Sequence, residues 1–206
     1  MKLKICGLRE DENVKAITAL RPKWMGFIFH PTSLRYFINA EHPANILSIP
    51  IHIKKVGVFV NESEEEIMRI HQLYGLDMIQ LHGDEKPEFC LNLNKAGIKI
   101  IKAFRIDDRF DFSSVELYAP YVEMFLFDAA GKNYGGNGVV FNWNLLEGKR
   151  FSRPFLLSGG IGLEQVALLK SFHHPDMIGV DVNSCFELSP GIKDIAALQL
   201  FKQQIV

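Results

Sequence analysis

Eight short runs of apolar, mostly β-branched or aromatic residues recur along the chain every 21–31 residues, and this rhythm limits the folds open to it. The runs are Leu3–Cys6, Met25–Phe29, Val56–Val60, Met78–Leu81, Lys99–Ala103, Met124–Phe127, Phe155–Leu157 and Ile178–Val182. Each interval accommodates a strand, a crossover helix and two loops. The runs are apolar throughout rather than alternating, as in parallel strands covered on both faces. Between them, Asn61–Ile67 reads as a helix start, a polar cap followed by acidic first-turn residues. Gly162–Leu169 and Asp194–Gln204 read as two further amphipathic helices. No linker rich in Pro, Gly or Ser divides the 206 residues. Residues 1–206 therefore predict one (β/α)8 barrel domain, an α/β fold with a parallel eight-stranded sheet. An open doubly wound sheet usually has fewer strands, and no Gly-x-Gly-x-x-Gly follows the first run to support dinucleotide binding.

Composition narrows the partners. Lys and Arg number 23 against 24 Asp and Glu, a formal charge of −1, so nothing favours nucleic acid or an anionic membrane surface. The longest apolar runs have strand length, well short of a membrane span. Met1–Gly7 lacks the long apolar stretch and cleavage site of a signal peptide. Three widely separated cysteines, Cys6, Cys90 and Cys185, do not make a disulfide framework, and the expected location is a reducing cytoplasm.

In a barrel of this kind the active site forms at the carboxyl ends of the strands, and the unusual residues fall there. Ser158-Gly159-Gly160-Ile161-Gly162 and Asp181-Val182-Asn183-Ser184 follow the last two runs, where barrels often hold phosphate. Glycines let backbone N–H groups approach an anion, and a helix start adds partial positive charge; a plain tight turn is the alternative. Cys6 ends the first run, placed to act as base or nucleophile, or simply to pack. Cys90 and Cys185 read as packing residues. Asp128 follows Met124–Phe127, so its carboxyl meets a partly desolvated rim as a general acid or as a loop cap. Arg35, in a loop with Ser33, fits either a clamp for a substrate carboxylate or a surface ion pair. His82 reads as structural. No cluster has metal-ligand spacing, and no metal is expected.

Taken in order, the motifs form a familiar series: Lys4-Ile5-Cys6-Gly7, Gly26-Phe27 with Ser33-x-Arg35, Val56-Gly57-Val58-Phe59-Val60-Asn61, Gln80-Leu81-His82-Gly83, Asp128, Gly135-Gly136-Asn137-Gly138, Phe141-x-Trp143, Ser158-Gly159-Gly160, Asp181-Val182-Asn183-Ser184 and Pro190-Gly191-x-Lys193-Asp194. From residue 4 to 194 this resembles the phosphoribosylanthranilate isomerase family of tryptophan biosynthesis. Two positions depart from the family pattern: Asn137 stands where Thr is usual, and Asn183-Ser184-Cys185 replaces Ser-Ser-Gly. The resemblance implies an Amadori rearrangement of a small phosphoribosyl substrate without a cofactor. It makes Asp128 the general acid and Cys6 the general base, gives Arg35 the anthranilate carboxylate, and gives Ser158, Gly159, Gly160, Asn183 and Ser184 the phosphate. Two other readings compete: a Schiff-base aldolase built on Lys102, and a phosphosugar sensor without turnover, which would not need Cys6 and Asp128 together.

Overall fold

The computed structural model describes residues 1–129 and 141–205. Each expected apolar run forms a strand: β1 (Lys2–Ile5), β2 (Trp24–Ile28), β3 (Lys54–Phe59), β4 (Met78–Leu81), β5 (Ile100–Ile106), β6 (Met124–Ala129), β7 (Phe155–Leu157) and β8 (Met177–Val182). The strands pair in sequence order, all parallel, and β8 closes onto β1, so the fold is a (β/α)8 TIM barrel.

Strand side chains point alternately inward and outward, which divides the core in two. Trp24, Val56, Met78, Ile101, Ala103, Met124, Leu126 and Leu156 fill the barrel interior. Ile5, Phe27, Phe59, Ile79, Phe125, Phe127 and Phe155 face outward beneath the surrounding layer. There, most phenylalanine rings pack edge-on or tilted, with Phe127 and Phe151 at 4.9 Å and Phe127 and Phe155 at 4.9 Å, while Phe29 and Phe59 stack. Each such buried ring contributes roughly 1.5–3 kcal/mol from removing its surface from water.

One strand departs from simple alternation. The β7–β8 register shifts between Phe155, opposite Met177, and Leu156, opposite Gly179. Ile178 packs on the interior cluster, yet Val180 and Val182 belong to the outer one. The shift re-phases β8, and Asp181 faces into the barrel as a result.

The surrounding helices are α1 (Asp11–Ala19), α2 (Glu64–Tyr74), α3 (Pro87–Lys95), α4 (Val166–Ser171) and α5 (Ile195–Ile205). In α2, Ser63 Oγ accepts the Glu66 N–H at 3.2 Å, Glu64–Glu66 load the first turn with negative charge, and left-handed Gly75 (φ 54°) ends the helix. A crossover helix after every strand, as the spacing implied, is not what forms. Between β2 and β3 there are only the 3-10 turns Phe37–Asn39 and Ile46–Ser48, in a segment interrupted by Pro31, Pro43 and Pro50. The β5–β6 connection is the 3-10 stretch Phe112–Tyr121, which contains Pro120. The Gly162–Leu169 expectation also shifts: Leu163–Gln165 is a 3-10 turn and the α-helix begins only at Val166. After β8, β9 (Glu187–Ser189) and β10 (Ile192–Lys193) form a small antiparallel hairpin, with Gly191 at φ 86° in its turn. Among the described residues no helix is long and apolar enough to cross a membrane.

Candidate active site

All eight residues singled out from the sequence, Cys6, Arg35, Asp128, Ser158, Gly159, Gly160, Asn183 and Ser184, line one pocket at the carboxyl ends of the strands. Gln80, His82 and Asp181 line it with them. The glycine-rich stretch 131–138, with Asn137, lies outside the described residues.

Cys6 sits just beyond β1, its N–H donating to Val182 O at 2.9 Å, and it is buried. Its thiol occupies space left by Gly26 on β2, where an added Cβ would lie 2.7 Å from Cys6 Sγ. Lys4, two residues earlier on the same strand face, donates to both Asp181 oxygens at 3.0 Å. Burial alone would lower the proton affinity of Lys4, but Asp181 and then Cys6 more than offset it, and the ammonium is held above the usual lysine range. Burial pushes the Cys6 thiol up, and Lys4 is the main opposing influence, with Lys193 adding to it.

Asp128 ends the apolar part of β6 and is buried. Gln80 Nε2 donates to His82 Nδ1 at 2.8 Å, which leaves the ring proton on Nε2 to donate to Asp128 Oδ2 at 3.2 Å. The Ala129 N–H donates to Asp128 Oδ1 at 3.0 Å. Both carboxyl oxygens are therefore fixed. Gln80 Oε1 is buried and has no partner among the described residues.

The two expected anion loops follow β7 and β8, between Asp128 and Cys6 around the mouth. Gly159 and Gly160 both have positive φ, 89° and 62°, and a Cβ on Gly159 would come within 2.5 Å of Ala129 N and 2.9 Å of Asp128 Oδ1. Glycine is required there by close backbone approach as well as by conformation. The Gly162 N–H is taken by Gln165 Oε1 at 2.9 Å, so it is committed within its own turn. Asn183 Oδ1 and backbone O both accept from Lys193 Nζ, at 2.6 and 3.2 Å. Ser184 opens the 3-10 turn Ser184–Phe186 and stays partly exposed.

Arg35 lines the pocket while paired with Glu187. Its Nε donates to Oε1 and Oε2 at 2.8 and 3.0 Å, and Nη2 donates to Oε2 at 2.6 Å. Glu187 also accepts from Lys193 Nζ at 2.7 Å and from the Gly191 N–H at 3.1 Å. Burial pushes the Glu187 carboxyl up, but Arg35 and Lys193 together hold it below the usual carboxylate range.

Lys102 does not serve the aldolase reading. Its neighbours Ile101 and Ala103 face the barrel interior, so Lys102 points outward. Its Nζ donates to Leu81 O (3.3 Å), Gly83 O (2.8 Å) and Glu85 Oε2 (2.9 Å), and all three protons are used away from the pocket. Cys90 packs in the outer core, with burial pushing its thiol up to about 12, whereas Cys185 is exposed at the pocket edge.

Sequence reasoning gives no role to Lys4, Glu187 or Lys193, counts Asp181 only within the expected anion loop, and reads His82 as structural. The available signal was charge inside apolar strand runs: Lys4 in β1 and Asp181 in β8 are opposite charges that only pairing can keep buried.

The family model described as N-(5'phosphoribosyl)anthranilate (PRA) isomerase matches residues 3–204. An N-(5'-phosphoribosyl)anthranilate isomerase of Phocaeicola vulgatus is 45% identical over 205 residues, covering 100% of this chain and 98% of the relative. Among solved structures, the phosphoribosyl anthranilate isomerase of Thermotoga maritima superposes with a TM-score of 0.84 at 30% identity, covering 100% of this chain and 98% of that one. A phosphoribosyl anthranilate isomerase in complex with reduced 1-(o-carboxyphenylamino)-1-deoxyribulose 5-phosphate has a TM-score of 0.81 at 28% identity, with the same coverage.

Proposed function

From the premise that this chain belongs to the N-(5'-phosphoribosyl)anthranilate isomerase family, we propose that its pocket performs the family's reaction with Asp128 as acid and Cys6 as base. The enzyme is an isomerase of tryptophan biosynthesis, converting N-(5'-phosphoribosyl)anthranilate into 1-(2-carboxyphenylamino)-1-deoxyribulose 5-phosphate. The observation that carries the residue assignment is that Cys6 and Asp128, at the ends of β1 and β6, line one mouth together with a paired guanidinium and a glycine turn.

Asp128 gives its proton to the furanose ring oxygen as the C1′–O bond breaks, and the anilino nitrogen lone pair forms the C=N bond of the Schiff base. The carboxylate left behind meets two donors already in place, His82 Nε2–H and the Ala129 N–H, so its new charge is stabilised without reorganisation. The Cys6 thiolate then removes the C2′ proton, and the electron pair passes through C1′ to neutralise the nitrogen, giving an enolamine. Transfer of a proton from the C2′ hydroxyl to C1′ completes the ketone. No external oxidant or reductant enters.

Lys4 makes the base usable. A thiol enclosed by apolar strands resists ionisation, and an ammonium immediately beneath it favours the thiolate. Asp181 keeps that ammonium charged and fixed. Arg35 takes the ring carboxylate, and the turns at Ser158–Gly160 and Asn183-Ser184 take the phosphate, Asn183 through groups other than the Oδ1 held by Lys193. The three free cysteines, two of them buried, favour a reducing cytoplasm. The test follows the fluorescence of freshly made phosphoribosylanthranilate. Parent protein should consume it, and Cys6→Ser and Asp128→Asn should each lose turnover while still binding the reduced product analogue. Near-parental turnover in either variant overturns its assignment.

A further inference from the structure

The guanidinium of Arg35 has two edges able to grip a carboxylate, and Glu187 occupies one of them. Nε and Nη2 are both committed to Glu187, whereas Nη1 has no partner among the described residues. Glu187 cannot drift, because Lys193 Nζ and the Gly191 N–H hold its Oε1. Lys193 is in turn fixed by Asn183, whose Oδ1 lies 2.5 Å from where a Gly7 Cβ would stand. The β9–β10 hairpin, which carries both Glu187 and Lys193, thereby ties the cation to the Asn183 loop beside it, both side chains abutting Gly7.

We propose that Glu187 is a positioning and specificity residue: by filling the Nε–Nη2 edge of Arg35, it presents the Nη1–Nη2 edge to the carboxylate of an aromatic acid in the mouth. This rests on the reading of Arg35 as the carboxylate anchor. Without Glu187 the guanidinium keeps its charge but loses its orientation, and a flexible side chain must then be ordered each time a ligand binds. A bidentate pair depends on planar alignment, so orientation matters more here than added charge.

Titration calorimetry with two probes tests this: reduced 1-(o-carboxyphenylamino)-1-deoxyribulose 5-phosphate, which carries carboxylate and phosphate, and ribose 5-phosphate, which carries only phosphate. Glu187→Ala should weaken the first on the order of tenfold or more and leave the second within about twofold. Glu187→Gln, which keeps one acceptor for Nε, should fall between parent and Ala, and it decides the matter if Glu187→Ala does not fold. Substrate KM should rise with kcat nearly unchanged, since the contact serves ground and transition states alike. In an Arg35→Met background, Glu187→Ala should add nothing further for the carboxylated probe. Tighter or unchanged binding of that probe in the Glu187 variants, equal loss of both probes, or additivity with Arg35→Met overturns the inference. If Arg35→Met itself spares the carboxylated probe, the anchor reading fails first. A selective Arg35→Met with silent Glu187 variants rejects Glu187 alone.

Discussion

Lys4 and Asp181 lie side by side on β1 and β8, both buried, and the ammonium of one touches both carboxylate oxygens of the other at 3.0 Å. Removing one partner strands the other as a buried charge. Lys4→Met or Asp181→Leu alone should therefore cost about 3–5 kcal/mol, whereas the double replacement should recover most of that. Urea denaturation of the three variants checks this, and a double variant no better than the singles rejects the paired-charge account. Because Lys4 is held above the usual lysine range, its contribution is intact at neutral pH. It fades as pH climbs past the ordinary lysine value through the elevated one.

Cys6→Ser should reduce kcat by ~10²–10⁴-fold, the range for loss of a positioned base, with little change in affinity for the reduced product analogue. Burial raises the thiol, so alkylation by iodoacetamide should be slow at pH 7. Its rate should rise with pH, with a midpoint above the ordinary cysteine value. A midpoint below that value would mean that Lys4 and Lys193 outweigh burial.

Asp128→Asn cannot deliver a proton, and kcat should fall by ~10²–10⁴-fold. His82→Ala should be milder, on the order of 10–100-fold, as one hydrogen bond to the newly charged carboxylate disappears. Substrate binding should hold in both. Steady-state kinetics with analogue titration separates these outcomes, and a His82→Ala enzyme with parental kcat removes His82 from the acid's support.

The phosphate reading is tested best at Ser184. Gly159 is unsuited, because any side chain there meets Ala129 and Asp128 before it meets a ligand. Ser184→Asp places a carboxylate at a partly exposed turn, and affinity for ribose 5-phosphate should fall at least tenfold with the melting temperature nearly unchanged, as like charges crowd a low-dielectric mouth. Equal affinity in a folded variant places the phosphate elsewhere.

The strands were legible because a parallel strand buried on both faces needs an unbroken apolar run, and Met78–Leu81 and Phe155–Leu157 coincide with β4 and β7 residue for residue. The mouth residues followed from position, since whatever comes just after such a run faces the barrel's opening. The crossovers were less legible: spacing counts residues, and a proline-broken 3-10 path uses up as many as a helix. Facing was hidden as well. Nothing local says that Lys4 points inward or that Lys102 points outward. The Arg35–Glu187 pair spans 152 residues, and only the closed barrel brings its ends together.

The register shift at the start of β8 gives this strand something like a reading frame. One added position near Gly179 decides which parity of residues the barrel's inner surface displays from there onward. If Ile178 were drawn into the ladder opposite Leu156, the strand would stay apolar and able to pair, yet Val182 would turn toward Lys4 and Asp181 would move out among the phenylalanines. The charge beneath Cys6 thus depends on one unpaired residue at the far end of its neighbouring strand, so that drawing this residue into the ladder would take the carboxylate from the pocket without changing any side chain within it.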